Sequence, residues 1–435
     1  MINLHNDFLV RMKSLLGEEY TEFYNSLQKD PQKAIFVNSN KISVEKFKNI
    51  VDFDISSVPY EPCGFYVDNE KKGRHILHHA GAFYIQEPSA MFTINSIKFK
   101  GDEKVLDMCA SPGGKSIQIA NRIPNGVLVS NEFVKARSSV LYSNIERMGL
   151  KNVIITNDKP ENLARAYGNT FDVCVVDAPC SGEGMFRRGN EVTEQWNPSL
   201  PEMCAIRQLE ILDSADKVLK QGGTLIYSTC TYSLQENEHV VKTFMQNYNY
   251  KIEYINAPFS RGIGLEESVR LYPHIVKGEG QFVAVLKKIG ENNNIGTQLL
   301  KLKKCEISCE FMKKYTNFDK IIQNFENRSY YIPDNSLIRK HVNYVSVGVK
   351  VGEIKNGRFD PDHYLFSAFG NCFNFKLNLN LQDEGVAKYL KGDVLNVNLP
   401  NGYGAVFVEG CALGGFKMSQ GKFKNHYPKG LRNFK

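Results

Sequence analysis

This sequence of 435 residues contains a single tryptophan and no apolar run of membrane-spanning length. Its first residues do not resemble an apolar leader peptide. Trp196 is the one tryptophan, and a lone tryptophan is more often part of a core than a platform for a base. No apolar run reaches the roughly 18 residues that a transmembrane helix requires. Asp7, Arg11 and Lys13 interrupt the apolar residues at the start, which is not typical of a signal peptide. We therefore predict a cytoplasmic protein that does not contact membranes.

Cysteine pairs with the spacing of a metal site or a small disulfide-linked domain are also missing. The ten cysteines are spread along the whole chain, which favours reduced thiols in a cytoplasm. Cys305 and Cys309 lie close enough in sequence to share a helix face, but no second pair accompanies them. We predict no metal site.

Acidic residues are missing from the last stretch of the chain, from Gly410 to Lys435. Basic and aromatic residues alternate there: Phe416, Lys417, Lys422, Phe423, Lys424, Tyr427, Lys429, Arg432, Phe434 and Lys435. The whole chain carries a formal charge of +7. This composition favours contact with a nucleic-acid backbone and its unstacked bases. The alternative is a solvated tail whose aromatic residues close a small core.

The middle of the chain alternates predicted strands with predicted helices. Strand-like runs occupy 104–108, 127–130, 153–156, 171–177, 224–228, 251–255 and 281–287. Helical patterns occupy 115–122, 134–148, 161–167, 201–220 and 236–247. This alternation predicts an α/β fold, a doubly wound parallel sheet with helices on both faces. Gly222 and Gly223 are expected to end the helix that Pro201 begins.

The chain length predicts several domains. A polar, Asn/Gly-rich segment at 289–296 is the clearest candidate for a boundary. Before the core, a helical pattern over 8–27 and a strand at 34–37 indicate an α+β lobe. The last part is expected to contain short strands at 393–399 and 404–408. We predict four domains: a lobe at 1–90, a core at 91–290, a connecting domain at 297–371 and a last domain at 378–435.

A glycine-rich turn follows the first core strand and opens a helix. It runs through Cys109, Ala110, Ser111, Pro112, Gly113, Gly114 and Lys115. A phosphate-binding loop of the Walker type would need glycine where Cys109 stands, and Pro112 lacks a backbone N–H. The two glycines instead allow close approach of a nucleoside, and amides at a helix start favour a carboxylate. These features predict a site for S-adenosylmethionine.

Acidic residues stand at the ends of the next core strands. Glu132 is placed to accept hydrogen bonds from both ribose hydroxyls of the cofactor. Asp158 is placed to accept from the adenine amino group, and Asp177 ends a further strand. A single solvated carboxylate would be unremarkable at any of these positions, but the ordered series predicts one nucleoside pocket.

Two cysteines follow strand ends, Cys180 in the segment from Asp177 to Gly182 and Cys230 in the segment from Ser228 to Ser233. Cytosine C5 is a poor nucleophile, and a thiolate that adds to C6 turns the ring into an enamine that can attack a methyl group. Asp177 can hydrogen-bond the base at N3 and its amino group. An amino-group methyltransferase would show Asn/Asp-Pro-Pro-aromatic here instead. The spacing alone does not decide which cysteine attacks.

These segments resemble the Sun-type RNA cytosine-C5 methyltransferase family, in particular its bacterial RsmF-like branch, which acts on 16S rRNA. The resemblance covers nearly the whole chain through the following segments: Gly81 to Ala90, Asp107 to Lys115, Asp177 to Gly182, Ser228 to Ser233, Gly278 to Ala284 and Lys424 to Arg432. It implies a Rossmann-like class I methyltransferase core, an RNA-binding N-terminal lobe and a C-terminal PUA-like RNA-binding domain. It also implies RNA as the partner, in 16S rRNA or the small ribosomal subunit, and no obligate protein partner.

The resemblance implies roles for individual residues. Cys230 is implied as the nucleophile and Cys180 as the residue that assists product release, whereas DNA cytosine-5 methyltransferases attack with the cysteine of their Pro-Cys motif. Lys115 and Arg137 are implied to line the pocket. The family's Arg-Val-Asn reads Phe36-Val37-Asn38 here, so one RNA or structural contact is lost. Arg187 and Arg188 are candidates to replace it.

Two alternative functions remain at this point. One is the same chemistry on transfer RNA. The other is a non-catalytic RNA-binding factor for ribosome assembly that has kept a cofactor fold. The presence of Cys180, Cys230 and Asp177 together argues against the second, because a binding module needs no reactive thiols.

Overall fold

The N-terminal lobe combines helices with a small antiparallel sheet. The structure, a computed structural model, describes residues 2, 4–68, 72–291 and 295–432. The lobe's helices are α1 (Asn6–Leu16), α2 (Tyr20–Leu27), α3 (Val44–Ile50), α4 (Ile76–His79) and α5 (Pro88–Asn95). Its strands are β1 (Lys33–Val37), β2 (Ser56–Ser57), β3 (Gly64–Val67) and β4 (Phe83–Gln86), in the order β2–β3–β1–β4. The helical pattern over 8–27 forms two helices, because Gly17 adopts a φ of 53° between them.

The core is the predicted doubly wound sheet. Its strands are β5 (Lys104–Asp107), β6 (Val127–Asn131), β7 (Val153–Thr156), β8 (Phe171–Asp177), β9 (Leu219–Thr229), β10 (Tyr250–Glu253), β11 (Ser260–Gly262), β12 (Leu265–Leu271) and β13 (Gln281–Lys288). Its helices are α6 (Gly114–Arg122), α7 (Lys135–Met148), α8 (Pro160–Ala166), α9 (Asn190–Gln195), α10 (Leu200–Val218) and α11 (Glu238–Asn247). The five strands β5 to β9 are parallel, and β13 adds to β9 antiparallel. Apolar β-branched runs form strands that are buried on both faces by the helices.

Two details of the core differ from the sequence prediction. The helix from Pro201 ends at Val218, and Gly222 and Gly223 lie within β9 instead of ending the helix. The pairing of β8 with β9 shifts register at this point, so the two glycines lie in the irregular first part of β9. The sequence also missed β11 and β12, which extend the antiparallel edge beyond β13.

The C-terminal half contains two further sheets. The first part has β14 (Lys303–Lys304), α12 (Glu306–Tyr315), β15 (Gln323–Phe325), β16 (Arg328–Tyr331), β17 (Tyr344–Ser346), β18 (Val349–Lys355), β19 (Arg358–Pro361) and α13 (His363–Phe369). The second has β20 (Phe375–Leu379), α14 (Glu384–Lys391), β21 (Gly402–Val408), β22 (Cys411–Ser419) and β23 (Lys422–Asn425). The predicted strand at 404–408 lies in β21, but 393–399 forms no strand. Of the predicted boundary segment, residues 292–294 lie outside the described residues, as do Phe434 and Lys435 of the tail.

The C-terminal half packs directly against the core and the lobe. Strand β17 pairs with β7 and so extends the core sheet. The Tyr364 hydroxyl donates to the Leu150 carbonyl at 2.6 Å. Lys41 of the lobe donates to the Ala412 carbonyl at 3.0 Å. Within the described ranges no helix is long and apolar enough to cross a membrane.

Candidate active site

Three neighbouring strand ends form one edge of the core sheet. Strands β5, β8 and β9 run parallel side by side and end at Asp107, Asp177 and Thr229. A cavity of about 870 Å³ opens at this edge. Carboxyl ends of parallel strands are where open α/β sheets bind ligands, so the fold assembles the predicted side chains in one place.

The two cysteines of the strand ends meet at the cavity. Their Sγ atoms lie 3.4 Å apart, which is too far for a disulfide, and both cysteines are free thiols. The hydrogen bond with Cys230, together with burial, raises the pKa of the Cys180 thiol well above its ordinary value. Cys180 therefore keeps its proton and can donate it toward the Cys230 sulfur.

Asp177 is held beside the thiols by three side chains. Its Oδ2 lies 2.8 Å from Lys115 Nζ. Its Oδ1 accepts from Ser228 Oγ at 2.7 Å and from Gln281 Nε2 at 3.1 Å. The carboxylate is partly exposed to the cavity, so its orientation is fixed while one side stays accessible to a ligand.

The glycine-rich turn forms one wall of the cavity. Cys109, Ala110, Ser111, Pro112, Gly114 and Lys115 line it directly. Gly113 is not a lining residue, but its φ of 115° allows the chain to turn into α6. A Cβ on Gly114 would lie 3.1 Å from the Gln86 side chain and 3.2 Å from the Tyr84 ring, so glycine at this position lets the start of α6 pack closely against these two lobe residues.

Asp107 at the start of this turn is buried, and Cys109 is half-buried. Burial raises the pKa of the Cys109 thiol, so Cys109 is not a reactive thiol. Burial also raises the pKa of Asp107 to about 7, although the carboxylate accepts from Ser116 Oγ at 2.7 Å. Asp107 also lines the cavity, and no sequence pattern indicated a separate role for it.

Glu132 and Arg137 lie together on the opposite side of the turn, and both line the cavity. Glu132 Oε1 accepts from the Val134 amide at 2.8 Å, and Oε2 lies 3.4 Å from Arg137 Nη2. Arg137 also donates to the Ser111 carbonyl at 3.0 Å. The structure thus links the end of β6 to the glycine-rich turn through Arg137.

Asp158 does not line the cavity. Its Oδ1 accepts from the Lys159 amide and from Asn162 Nδ2, and its Oδ2 accepts from the Asn343 amide at 3.1 Å. The carboxylate therefore faces the strand β17 region of the C-terminal half, which the sequence analysis did not place beside the core sheet.

Residues of the lobe and two arginines complete the cavity; the sequence pointed to Arg188 but not to Arg207. Tyr84, Gln86 and Glu87 line it from the lobe, within the segment that carried the family resemblance. Arg188 and Arg207 line it near the cysteines. Arg188 pairs with Glu279 at 2.6 Å, whereas Arg207 forms no ion pair among the described residues.

Arg187 and Trp196 have structural partners. Arg187 donates to the carbonyls of Gly278 and Ser26, so it joins the lobe to the core. Trp196 is buried, and its indole N–H donates to Glu183 Oε1 at 3.1 Å. The expectation that this lone tryptophan belongs to a core is confirmed.

The basic tail separates into buried rings and exposed charges. Phe416, Phe423 and Tyr427 are buried in the C-terminal core. Lys422, Lys424 and Lys429 are exposed. The aromatic residues close a core, while the lysines present positive charge to solvent.

Three family models match the chain in order along its length. Residues 4–88 match the N-terminal domain of 16S rRNA methyltransferase RsmF, 94–287 match 16S rRNA methyltransferase RsmB/F, and 376–433 match the methyltransferase RsmF PUA domain. The chain belongs to the RsmB/F methyltransferase family. The family assignment confirms the resemblance and the expected class of fold.

Curated relatives of this RsmB/F member include "Ribosomal RNA small subunit methyltransferase F" from Erwinia tasmaniensis and from Salmonella agona. They are 34% identical to it over 300 and 301 residues, respectively. Each match covers 65% of this chain, and the chain spans 63% of the length of either relative.

Solved structures from Pyrococcus horikoshii share the fold. A methyltransferase homologue is 26% identical with a TM-score of 0.59, and the match covers 66% of this chain and 96% of that one. NSun6, solved with SFG, is 24% identical with a TM-score of 0.60, and the match covers 66% and 99%.

Proposed function

We propose that this RsmB/F member transfers a methyl group from S-adenosylmethionine to C5 of a cytosine in 16S rRNA of the small ribosomal subunit. The observation that carries the proposal is the pair of thiols 3.4 Å apart at the ends of β8 and β9, beside the cavity that the glycine-rich turn lines. The family membership and the names of the curated relatives support the same activity and the same RNA.

The cavity suits this cofactor. The glycine-rich turn lines it with six residues, and the start of α6 presents backbone amides to an anion. Residues of the turn, Glu132 and Arg137 would hold the cofactor. S-adenosylmethionine supplies, when bound, a methyl group on a positively charged sulfur. Asp158, directly before the cavity-lining Lys159, is proposed to contact the adenine amino group.

The chain's own residues prepare the base. The Cys230 sulfur adds to C6 of cytosine, and the electron pair of the C5–C6 double bond becomes available at C5. Asp177, held by Lys115, Ser228 and Gln281, hydrogen-bonds the polar edge of the ring. Once C5 carries the methyl group, its proton leaves to a base, the C5–H electron pair restores the C5–C6 double bond, and the C6–S bond breaks with its electron pair on Cys230.

Cys180 supports release in this scheme. Its raised pKa means that it holds a proton beside Cys230 when the cytosine is absent. A protonated thiol that donates to the Cys230 sulfur stabilises the thiolate that forms when the C6–S bond breaks, while water in the cavity takes the C5 proton. The assignment of Cys230 as the nucleophile follows from the resemblance to the Sun-type family.

The proposal also covers the boundaries of the domains and the location of the protein in the cell. We propose an RNA-binding lobe at 1–90, the methyltransferase core at 91–290, a connecting domain at 297–371, a PUA-like RNA-binding domain at 378–435, and a cytoplasmic protein. The base must leave its stack to reach the cavity, and loops or junctions of RNA make that step easiest.

Bisulfite sequencing of total RNA from cells with and without the protein tests the proposal. A cytosine of 16S rRNA that loses its C5 methylation in the deletion strain, and regains it with the wild-type gene, is the expected result. Loss of methylation in transfer RNA alone would assign the same chemistry to another RNA. No change in any RNA, with purified protein also inactive on small subunits, would favour a binding factor.

A further inference from the structure

A buried carboxylate, Glu236, lies between the two cysteine loops. It is fully buried after the end of β9, and the sequence analysis gave it no role. Its Oε1 accepts from the Ser181 amide at 2.8 Å, and its Oε2 accepts from Ser181 Oγ at 2.5 Å. Thr231 Oγ1 lies 3.3 Å from Oε2. Ser181 and Thr231 each follow directly on one of the two cysteines, so one carboxylate joins both loops.

The cluster around Glu236 has little freedom to rearrange. Ser181 Oγ and Thr231 Oγ1 lie 2.9 Å apart, so the two loops also contact each other directly. Gln208 of α10 donates to Glu236 Oε1 at 3.2 Å and to the Pro179 carbonyl at 3.0 Å. The Tyr227 hydroxyl donates to the Glu236 carbonyl at 2.5 Å. Glu236 is thereby fixed in backbone and side chain, and the sulfur separation depends on where it holds the loops.

We infer that Glu236 is the positioning residue of the methyl-transfer reaction, because it sets the spacing of the Cys180 and Cys230 sulfurs through Ser181 and Thr231. The inference rests on the proposed function for the reaction that the spacing serves. Glu236 does not touch the substrate cavity as a lining residue, so it acts through the loops. Its negative charge also opposes a second charge at Cys180, which favours the protonated thiol there.

The surroundings predict when Glu236 carries that charge. Burial raises the pKa of Glu236 to about 7, and the hydrogen bonds from Ser181 lower it in part. The titratable and polar groups that face it are Cys180, Ser181, Glu183, Cys204, Gln208, Tyr227 and Thr231. Above pH 7 the ionised carboxylate accepts all its hydrogen bonds, and below pH 7 protonation removes an acceptor from the cluster.

The test compares Glu236→Gln with wild type and with Glu103→Gln. Glu103 is a matched control, because it is also buried and accepts two backbone amide bonds, from Lys100 and Gly101, at the other end of β5. We expect kcat of Glu236→Gln to fall about tenfold or more, with KM for RNA and for S-adenosylmethionine within twofold of wild type. The rise of wild-type kcat through pH 7 should disappear in this variant, and Glu103→Gln should keep both kcat and the pH profile.

A second readout does not need activity. Alkylation of Cys180 by iodoacetamide, followed by mass spectrometry without RNA or cofactor, should reach half its maximal rate at a lower pH in Glu236→Gln. An unchanged kcat, an unchanged pH profile relative to wild type or an unchanged alkylation midpoint would each overturn the inference. If Glu236→Gln does not fold, Ser181→Ala replaces it, with the same expected loss of kcat. Wild-type protein that fails to methylate cytosine would overturn the proposed function instead. The alkylation result would still test whether Glu236 influences the Cys180 thiol.

Discussion

At the scale of the residue, two identical side chains acquire different properties from their surroundings. Cys180 and Cys230 face each other at 3.4 Å. Cys180 has a raised pKa because it hydrogen-bonds Cys230, loses hydration at its half-buried position and lies near Glu236. Cys109, at the end of the neighbouring strand β5, is also half-buried and has a raised pKa. We propose that hydrogen bonding and neighbouring charge, not residue type, separate the nucleophile and its partner in release from Cys109, although all three cysteines line the cavity.

The separation of roles predicts the behaviour of Cys180→Ala. Without the second thiol, the bond between Cys230 and C6 should form but should break slowly, so turnover should fall by about 10²-fold. A protein–RNA adduct that survives a denaturing gel should accumulate. Cys372→Ala, a half-buried thiol of the C-terminal half, is the control. Wild-type turnover, or an equal amount of adduct in the control, would contradict the role in release.

At the scale of the element, the turn between β5 and α6 depends on one backbone conformation. Gly113 has a φ of 115°, which L side chains rarely adopt, and a Cβ there would lie 3.1 Å from Leu141. The neighbouring residues line the cavity through their backbone and side chains. The conformation of this glycine therefore controls the shape of the proposed cofactor site.

Gly113→Ala should weaken binding of S-adenosylmethionine. Strain at such a φ costs about 1–3 kcal/mol, and a shift of the turn that transmits about 1.4 kcal/mol to binding raises Kd roughly tenfold. Calorimetric titration measures the Kd, and a thermal melt measures the stability. The control is Gly421→Ala, at a positive φ of 73° with nothing within 4 Å of its Cβ. A Kd equal to that of wild type would show that the turn tolerates the change.

The same scale shows how far the sequence predicted the site. Strand ends are visible as apolar runs that stop at Asp107, Asp177 and Thr229, so the edge that carries the cysteines was predictable. Asp158 follows a strand in the same way, yet its Oδ2 accepts a hydrogen bond from the Asn343 amide. That contact comes from a distant segment, and no local pattern indicates it. Glu236 was missed for the same reason, because its partners join it only after folding.

At the scale of the whole molecule, the segments pack as one body around the core sheet. Arg187 links the lobe to the core, and Lys41 reaches the C-terminal half. The alternation of strands and helices predicted the core but not β17, which pairs with β7 from outside it. The exposed lysines near the end of the chain therefore belong to the same body as the cavity, and we expect them to bind the RNA backbone.

Lys422→Gln combined with Lys424→Gln should weaken RNA binding in a salt-dependent way. Each lost phosphate contact makes the negative slope of log K against log salt less steep by roughly 0.7 for single strands, so loss of the pair should make it less steep by roughly 1.4. Filter binding at several salt concentrations measures the slope. The matched control is Lys98→Gln with Lys100→Gln, two exposed lysines just before β5. Equal salt dependence of RNA binding in the two double variants would contradict a role of Lys422 and Lys424 in RNA binding.

The most direct measurement is the identity of the residue that bonds the base. RNA that carries 5-fluorocytidine at the target position retains fluorine where the proton should leave, so the adduct cannot release and stays on the protein. Digestion and mass spectrometry of the trapped complex should find the nucleotide on the peptide that contains Cys230. A nucleotide on Cys180, or no adduct from protein that methylates ordinary RNA, would contradict the account.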